Sequence, residues 1–599
     1  MKVEKFLAFD TETINRPGGG QACLLARECS AGVMFRKFPR VFGHYFDFLA
    51  PSRPARSYVA WNMDFDARAG VHPNFLPWKV CESLGLYGHV KHGAYSFRYT
   101  PDKFLEVRHR DKRSFIIFDL AQFFGMSLAD FARKHCPDLL KEDLPEKWYG
   151  EMDFALRDKR EGKILSYAKR DVKIVARARS LLLDSLEVLG MKPTRLSSCA
   201  SLARLRYGKI LARLRAPDYI NARFERGFFG GRIECATLGK VEDVSLFDIN
   251  SAYPAEISKL VDPTQGVHLE SSLGSWRFRG LSDYGLYSLE VFVPLNWRFG
   301  PFAVRERGKV FYPVGHVRTI VGAQGLALIR KLKLPYKVRY AYEIFDCPRD
   351  VLFPDMNEMY LGRKGSPASL AIKLTINSLY GLMAESTNYL LESLQGERVI
   401  SGRWHETKRV YGRLTNFVLA SHITESVRLK VWDAARAHGA HFIATDSILV
   451  SRGRGPKTGA GLGEWGLKGH YKSGAILGCG RYALNGEKPL YHLRGFPVKK
   501  EIFERLKKCR TARARIPILE TPSLRQWALN PFIGDLNVLT PSSKYLEVAD
   551  DKRYWPEKHP LISDYFSATI FSKPWIVGRP DHLIKGEEAH ASPRPRTLR

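Results

Sequence analysis

Hydrophobic positions along the chain follow two periods, one typical of strands and one typical of helices. The short apolar run Phe6–Phe9 ends in Asp10-Thr11-Glu12, whereas a helical repeat of apolar residues extends from Ile164 to Leu189. No repeat of fixed length accompanies these elements, which excludes solenoids and propellers. Further strands are predicted near 244–250, 286–293 and 440–450, and further helices near 323–333, 366–383 and 417–438.

The order of these elements predicts an α/β unit over the first 185 residues and a mixed α+β region after it. A chain of 599 residues is too long for one ordinary core. We therefore expect about three to five domains. The end of the chain, 591–599, is polar and basic, and we expect it to be a disordered tail.

The chain carries a large positive charge. Lysine and arginine number 94 against 62 aspartates and glutamates, which gives a formal net charge of +32. The natural partner of such a surface is a polyanion, and nucleic acid is the leading candidate. The nine cysteines contain no CxxC pair, which argues against a disulfide framework or a zinc site and for a reducing compartment. We expect neither a signal peptide nor a membrane span, because charges interrupt every apolar run.

Four carboxylates near the ends of early elements are candidates for one metal site. Asp10 and Glu12 lie on one face of the first strand, because side chains alternate along a strand. Asp66 follows a second apolar run, and Asp171 lies on the long helix one turn after Tyr167. Such a cluster repels itself unless cations neutralise it, and two Mg²⁺ ions about 3.5–4 Å apart are the usual solution in nucleases and polymerases. Tyr167 is then a candidate for orienting the attacking water.

A second pair of carboxylates follows two later strands. Asp248 ends the apolar run that begins at Ser245, and Asp446 stands in the polar turn of a predicted hairpin. Oxygen ligands suit hard divalent cations, so both aspartates and the backbone carbonyl of Ile249 form a candidate metal site. Taken alone, Asp446-Ser447 is better explained as an ordinary turn.

One predicted helix between these two aspartates carries three polar or aromatic side chains on a single face. Lys373, Asn377 and Tyr380 fall at positions i, i+4 and i+7. An ammonium, an amide and a ring in that arrangement can hold a nucleoside triphosphate. The alternative is a solvated helix face without a ligand.

Six short motifs, in this order along the chain, resemble those of family B DNA polymerases with an N-terminal 3′→5′ exonuclease domain. The exonuclease motifs are matched by Asp10-x-Glu12, Asn62-x-x-Phe65-Asp66 and Tyr167-x-x-x-Asp171. The polymerisation motifs are matched by Asp248-Ile-Asn-Ser-Ala-Tyr-Pro254, Lys373-Leu-Thr-Ile-Asn-Ser-Leu-Tyr-Gly381 and Thr445-Asp446-Ser447. The resemblance implies a multidomain α/β plus α+β fold, a ribonuclease-H-like exonuclease domain followed by a right-hand polymerase of palm, fingers and thumb.

Within that family, the chain is similar to the protein-primed branch of phages and linear plasmids. The segment Phe228-Phe229-Gly230-Gly231-Arg232 resembles a single-strand-binding link between the two domains, and Ser127-Leu128 resembles a motif beside the exonuclease strand path. The separations of the polymerisation motifs leave room for the two insertions of that branch. The implied domains are an exonuclease domain at 1–185, palm with a first insertion at 186–350, fingers at 351–383, palm with a second insertion at 384–480, and thumb with the basic tail at 481–599.

The resemblance also implies roles for individual residues. Tyr253 is expected to lie under the incoming sugar and exclude a 2′-hydroxyl, and Lys373 is expected to bind the triphosphate with help from Arg363 and Lys364. Asn62 and Tyr167 are expected to position the frayed 3′ end. The residues expected to contact DNA are Asn62, Phe65, Ser127, Leu128, Phe228, Gly230, Gly231, Thr445, Arg481 and Tyr482.

Two positions depart from the family's pattern. Ala444 stands where the last polymerisation motif usually has its first aspartate, so Asp446 is the sole carboxylate of that turn. The usual Lys-x-Tyr primer contact reads Gly480-Arg481-Tyr482, which displaces the cation by one residue. The first departure puts metal affinity or metal choice in doubt, and the second weakens the expected grip on the primer.

The implied cofactors are two Mg²⁺ ions in each active site, with Mn²⁺ as the alternative ion. The implied partners are template and primer DNA, deoxynucleoside triphosphates and a priming terminal protein, for a monomer in the host cytoplasm or an organelle. Three alternatives stay open at this point. They are a family B polymerase with ordinary or no primers, an exonuclease with a disabled polymerase site, and a non-catalytic nucleic-acid-binding protein.

Overall fold

The computed structural model describes most of the chain. The described residues are 6–15, 21–37, 41–53, 55–72, 75–143, 161–306, 308–390, 407–496, 500–520, 524, 526, 540–548, 552–557, 559 and 561–577. The expected basic tail, 591–599, lies outside them. In the described part of the chain, every helix is too short or too polar to cross a membrane.

Runs of strands and runs of helices are interspersed along the described part of the chain. The strands are β1 Leu7–Asn15, β2 Gln21–Cys29, β3 Gly32–Lys37, β4 Arg56–Ala60, β5 His89–His92, β6 Tyr95–Thr100, β7 Phe104–His109, β8 Ser114–Asp119, β9 Arg232–Cys235, β10 Thr237–Ile249, β11 Val267–Ser272, β12 Tyr284–Val293, β13 Val304–Glu306, β14 Lys309–Phe311, β15 Val314–Gly322, β16 Tyr336–Phe345, β17 Ser386–Leu390, β18 Thr407–Tyr411, β19 Phe442–Thr445, β20 Ser447–Ser451, β21 Trp465–Gly478, β22 Arg481–Asn485, β23 Leu490–Leu493, β24 Arg513–Glu520, β25 Thr540–Glu547, β26 Thr569–Phe571 and β27 Ile576–Val577. The helices are α1 Phe42–Leu49, α2 Met63–Gly70, α3 Trp78–Tyr87, α4 Ala121–Phe124, α5 Leu128–His135, α6 Glu161–Val188, α7 Cys199–Arg213, α8 Asp218–Glu225, α9 Ala252–Ile257, α10 Ala323–Lys331, α11 Met356–Gly362, α12 Ser369–Met383, α13 Phe417–His438 and α14 Lys500–Lys507.

The strands and helices predicted from hydrophobic periodicity are confirmed. The long helical repeat forms α6, and the three later helical repeats form α10, α12 and α13. The region predicted as strand near 440–450 consists of two strands, β19 and β20, which pair as an antiparallel hairpin. Its turn contains Asp446, as the apolar–polar–apolar pattern predicts.

The chain divides into two compact units. The first contains Met1–Gly208, Glu358–Leu379 and Pro517–Ser543, and the second contains Lys209–Asn357, Tyr380–Ile516 and Lys544–Arg599. The assignment changes within α12, at Tyr380. The finer domain boundaries expected from the sequence stay a prediction.

The first unit is built on an eight-stranded sheet of order β3-β2-β1-β4-β8-β7-β6-β5. Its three central strands, β1, β4 and β8, run parallel, with Leu7 opposite Tyr58. The carboxyl ends of parallel strands meet at one edge, where open α/β sheets carry their ligand sites. Asp10 and Glu12 follow the part of β1 that pairs with β4, which is Leu7 and Ala8, and α2, which carries Asp66, begins soon after β4 ends.

Helix α6 is fixed to the amino-terminal end of this sheet by a buried arginine. The Arg179 guanidinium donates to the Phe6 carbonyl over 2.7 Å and pairs with Glu28 at 2.6 Å. Val172 and Val175 of the same helix are fully or almost fully buried. The orientation of α6 therefore places Asp171, one turn before Val175, on a packed and immobile helix.

The second unit is built on a sheet of order β23-β22-β21-β10-β20-β19-β9, with β26 also paired to β10. The central strand β10 is antiparallel to both β20 and β21. A separate five-stranded sheet has the order β11-β16-β12-β15-β27. Four of its strands, β11, β12, β15 and β16, and the hairpin β17-β18 belong to the two intervals where the motif spacing leaves room for insertions, whereas β27 comes from the C-terminal region.

Candidate active sites

Three carboxylates of the first unit converge at the sheet edge. One oxygen each of Asp10, Glu12 and Asp171 lies within 4.8 Å of the other two, a spacing that suits a metal ion. Asp10 and Glu12 reach this point because they are two residues apart on β1, and Asp171 reaches it from α6.

Asp66 lies beside this group of three. Its carboxylate accepts a hydrogen bond of 2.8 Å from the Thr11 hydroxyl, so α2 is fixed to the strand residue between Asp10 and Glu12. Burial raises the pKa of Asp66 well above its ordinary value, and the neighbouring charge of Asp10 raises it further. The fold therefore brings the fourth carboxylate to the same region.

The electrostatics of this cluster call for a cation. Burial and the charge of Asp171 raise the pKa of Asp10 to about 8, and burial also raises the pKa of Glu12 and Asp171. Asp10 Oδ2 and Asp171 Oδ1 are buried and have no hydrogen-bond partner. Buried oxygens without a partner are costly, and oxygen atoms are the ligands that Mg²⁺ prefers. The donor set thus fits a divalent metal ion.

Lys141 is a member of this site that the sequence interpretation missed. Its ammonium forms an ion pair with the Asp171 carboxylate and lies 4.4 Å from the centre of the Tyr167 ring. This contact lowers the pKa of Asp171, against the larger effect of burial. The only signal in the sequence is a lysine just before an acidic pair, which is too common to single out.

The four residues expected to bind single-stranded DNA in this unit lie on two helix starts. Asn62 is exposed and has a left-handed backbone, φ 64°, directly before α2, and Phe65 is half-buried within α2. Ser127 caps α5, because its hydroxyl accepts from the Asp130 amide at 3.0 Å. Leu128 is buried. Ser127 thus stabilises the start of α5, whether or not it also contacts DNA.

The second pair of carboxylates lies on strand β10 and in the turn before its neighbour β20, in the second unit. Asp248 near the end of β10 lies opposite Ser447 of β20, and the Ile249 amide donates to the Asp446 carbonyl over 2.9 Å. The hairpin therefore brings Asp446 beside Asp248, although the two residues are far apart in the sequence. Ala444 pairs with Ser447 across the turn and adds no carboxylate.

Lys468 is a second site residue that the sequence interpretation missed. Its ammonium lies 2.9 Å from Asp248 Oδ2, and both side chains are partly exposed. A cation therefore already neutralises the carboxylate expected to bind metal. Lys468 lies in no motif, and only the strand pairing of β10 with β21 brings it there.

Two tyrosines stack beside these carboxylates. The rings of Tyr253 and Tyr380 are 4.5 Å apart and inclined by 21°. Burial raises the pKa of both hydroxyls, and the charge of Asp446 raises each of them further. Both rings thus lie close enough to Asp446 for its charge to raise the pKa of their hydroxyls.

The segment Phe228–Gly231 contacts the same turn. A Cβ atom at Gly231 would lie 2.6 Å from Thr445 Cγ2 and 2.9 Å from the Tyr253 hydroxyl, so this position has no room for a side chain. Arg428 donates to the carbonyls of Phe229 and Gly230, and Arg305 donates to the Phe228 carbonyl over 2.8 Å. Two arginines thus fix the backbone of this segment against the turn.

The remaining cationic candidates lie on α12 and on the connection between α11 and α12. Lys373 is exposed, and its carbonyl accepts from the Asn377 amide over 2.7 Å. Arg363 and Lys364 both lie over the Tyr360 ring, at 4.6 and 5.1 Å from its centre. All four cationic or amide residues belong to the first unit, whereas Tyr380 belongs to the second.

Tyr482 and Arg481 occupy the strand next to β21. The Tyr482 ring is stacked between Phe442 at 5.0 Å and His492 at 5.3 Å. Burial raises its pKa to about 12, and Asp248 is among the charges that add to the shift. Arg481 donates to the Glu547 carbonyl over 3.0 Å. Tyr482 is therefore close enough to Asp248 for that charge to act on its hydroxyl.

Comparison with known proteins finds no matching protein-family model and no matching curated protein. Solved structures do match. Phi29 DNA polymerase in a ternary complex with primer-template DNA and incoming nucleotides superposes with a TM-score of 0.63 at 13% identity, over 91% of this chain and 100% of that one. Its binary complex with primer-template DNA gives 0.61 at 14% identity, over 90% and 99%. Its complex with single-stranded DNA gives 0.60 at 14% identity, over 90% and 100%. The chain therefore has the fold of phi29 DNA polymerase, a protein-primed family B enzyme, as its motifs indicate.

Proposed function

We propose that this protein is a template-directed DNA polymerase that adds nucleotides to a primer 3′-hydroxyl and proofreads with a 3′→5′ exonuclease. The observation that carries the proposal is the position of Asp446, which lies in the turn before β20 and is held by the Ile249 amide beside Asp248 of the adjoining strand β10. The stacked rings of Tyr253 and Tyr380 lie close to the same turn. The fold matches that of phi29 DNA polymerase over most of both chains and agrees with this activity. A fold alone does not establish an activity, so we infer the chemistry from the site residues.

The residues present suit divalent metal ions in both sites. In the exonuclease site the ions would be held by Asp10, Glu12, Asp66 and Asp171, whose buried, unpartnered oxygens support the assignment. In the polymerase site they would be held by Asp248, Asp446 and the Ile249 carbonyl. When bound, Mg²⁺, or Mn²⁺ in its place, activates the attacking oxygen and stabilises the leaving group.

The chain's own residues then bind and orient the substrates. Tyr253 and Tyr380 form an aromatic floor beside Asp446, suited to the sugar and base of an incoming deoxynucleotide. Lys373, Asn377, Arg363 and Lys364 are proposed to bind the triphosphate through their match to the family's motif. In the exonuclease site, Lys141 holds Asp171 in place, and Tyr167 is proposed to orient the attacking water.

The proposed partners follow from the same reasoning. Template and primer DNA suit the net charge of +32. The residues proposed to contact DNA are Asn62, Phe65, Ser127, Leu128, Phe228, Gly230, Gly231, Thr445, Arg481 and Tyr482. We further propose that a monomer initiates on a terminal protein, at the ends of a linear phage or plasmid genome, in the host cytoplasm.

A gel assay tests the two activities. A 5′-labelled primer annealed to a longer template is incubated with the protein and Mg²⁺, with and without the four deoxynucleotides. Extension with nucleotides and stepwise shortening without them is the expected result. Transfer of a labelled nucleotide onto the hydroxyl of a co-encoded protein, without any DNA primer, would test the priming mode.

A second candidate function is an exonuclease with a disabled polymerase site. Ala444 leaves the turn with one carboxylate, and Lys468 already pairs with Asp248, which together favour this alternative. Shortening of the primer in both lanes of the gel would support it. Extension that is lost with Asp446→Asn would exclude it.

A further inference from the structure

Lys468 reaches Asp248 through an irregularity in β21. Leu246 of β10 lies opposite Gly469, but Phe247 lies opposite Leu467, so Lys468 is an extra residue between two paired positions. Bulges of this kind re-aim a side chain relative to its strand. The re-aimed ammonium lies 2.9 Å from Asp248 Oδ2.

This contact changes the charge of the polymerase site. Asp248 and Asp446 supply two negative charges, Ala444 supplies none, and Lys468 cancels one. The exonuclease site, by contrast, gathers four carboxylates around one lysine, Lys141. A divalent cation that approaches Asp248 therefore meets a weaker attraction, and it meets the repulsion of the ammonium.

The ammonium can leave Asp248 without unfolding its surroundings. The side chain of Lys468 is 47% exposed, and that of Asp248 is 24% exposed. A lysine head group on a flexible four-carbon stem can move into solvent when another cation takes its place. The ion pair is therefore a replaceable contact and is not a buried structural one.

We propose that Lys468 is the resident counter-ion of Asp248 and, as a positioning residue, sets how much divalent cation the polymerase site requires. The inference rests on the proposed polymerase function of this site. Lys468 keeps Asp248 oriented and neutralised until metal ions and substrate bind. It also raises the metal concentration at which they bind.

Binding of Mn²⁺, followed by electron paramagnetic resonance of the free ion without DNA or nucleotides, tests the proposal directly. The full chain with Asp10→Asn and Asp171→Asn serves as the parent, so that ions at the exonuclease site do not interfere. Lys468→Met, with Lys468→Gln as a second neutral replacement, should bind Mn²⁺ about tenfold more tightly than the parent, because a repulsive charge is gone. Lys468→Arg, which keeps the cation, should match the parent.

Two further variants complete the design. Lys472→Met removes an exposed lysine of the same strand and should leave Mn²⁺ affinity unchanged, which separates the contact from net charge. Asp446→Asn should abolish the tighter binding and so identifies the ions of this site. In primer extension, the Mg²⁺ concentration for half-maximal rate should fall by a similar factor in Lys468→Met.

Equal Mn²⁺ affinities of the parent and both neutral variants would overturn the proposal. Tighter binding in Lys472→Met or Lys468→Arg as well would overturn it too, because net charge or packing would then be the cause. If primer extension is normal in these cases, the proposed function stands and only the role of Lys468 falls. If no variant extends a primer at any metal concentration, the proposed polymerase function itself fails.

Discussion

Asp171 is the residue through which the long helix joins the proposed exonuclease site. Asp171→Asn removes one ligand charge and breaks the ion pair with Lys141, so trimming of a single strand should fall by about a hundredfold or more, while primer extension persists. Asp184→Asn changes an exposed carboxylate of the same helix and should alter neither activity. Trimming rates on a labelled oligonucleotide decide the matter, and unaffected trimming in Asp171→Asn would contradict the assignment.

Gly231 and Gly230 form a matched pair at the polymerase site. Gly231→Ala forces a Cβ atom against Thr445 and Tyr253, whereas a Cβ atom at Gly230 would meet no atom within 4 Å. A displacement of the turn that carries Asp446 should slow extension by about 10- to 100-fold. Gly230→Ala adds a methyl group that meets no protein atom, so it should slow extension much less than Gly231→Ala does. Single-nucleotide incorporation rates compare the two variants, and equal rates would count against this role of the turn.

At the scale of elements, three buried side chains attach the C-terminal region to the palm-like sheet of the second unit. Glu234 of β9 pairs with both Arg232 and Arg553, and all three side chains are almost fully buried. Burial alone would raise the pKa of Glu234, but the two guanidinium groups bring it below its ordinary value. The segment around Arg553 is thus held to the sheet by charge as well as by β26.

Breaking this contact should be far more costly than breaking an exposed ion pair. Glu234→Gln leaves two buried guanidinium groups without a carboxylate and should lower the free energy of unfolding by about 3–5 kcal/mol. Glu242→Gln removes the exposed pair with Lys240 and should cost less than about 1 kcal/mol. Urea unfolding of both variants gives the comparison, and similar losses would refute the distinction.

Helix α13 carries a partly buried histidine that makes stability depend on pH. Burial lowers the pKa of His422 to about 4, and its ring contacts the Gln324 amide at 3.0 Å. The unfolded state binds the proton first as the pH falls, so the free energy of unfolding should decrease between about pH 6.5 and pH 4. By pH 5 this group should account for about 2 kcal/mol.

His422→Gln should remove that part of the pH dependence. Urea unfolding at pH 7.5 and pH 5 measures it, and the difference between the two values should be smaller in the variant than in the unaltered protein. His438→Gln, at a half-exposed position near the end of the same helix, serves as the control. An unchanged pH dependence in His422→Gln would show that the histidine is not the cause.

At the scale of the whole molecule, the net charge of +32 predicts strongly salt-dependent binding to duplex DNA. Each neutralised phosphate releases counterions, so a protein with 6–10 phosphate contacts loses about 10³- to 10⁵-fold in affinity between 50 and 200 mM salt. Fluorescence anisotropy of a labelled primer-template measures this slope. Sucrose at equal osmolality is the control and should leave affinity unchanged. A flat salt dependence would show that the positive surface does not contact DNA.

In both sites the sequence predicted the carboxylates but not the lysines beside them. The periods of 2 and 3.6 placed the strand of Asp10 and Glu12 and the helix of Tyr167 and Asp171, because these patterns depend on local geometry. The hairpin of Asp446 was likewise predictable from an apolar–polar–apolar run. Lys141 and Lys468 were not, because a lysine acquires its partner only through distant parts of the chain.

The sequence by itself determined the charge, the strands and helices, and which carboxylates end them, since each follows from composition or from neighbours along the chain. Only the tertiary structure decided that Asp171 meets Asp10, that Lys468 pairs with Asp248 and that Gly231 lies against Thr445. The contact of Lys468 with Asp248 depends on strand register and on a one-residue bulge, and the contact of Asp171 with Asp10 depends on how α6 packs on the sheet. A shift of one residue along a strand would turn its side chains to the opposite face, and no local pattern encodes that choice.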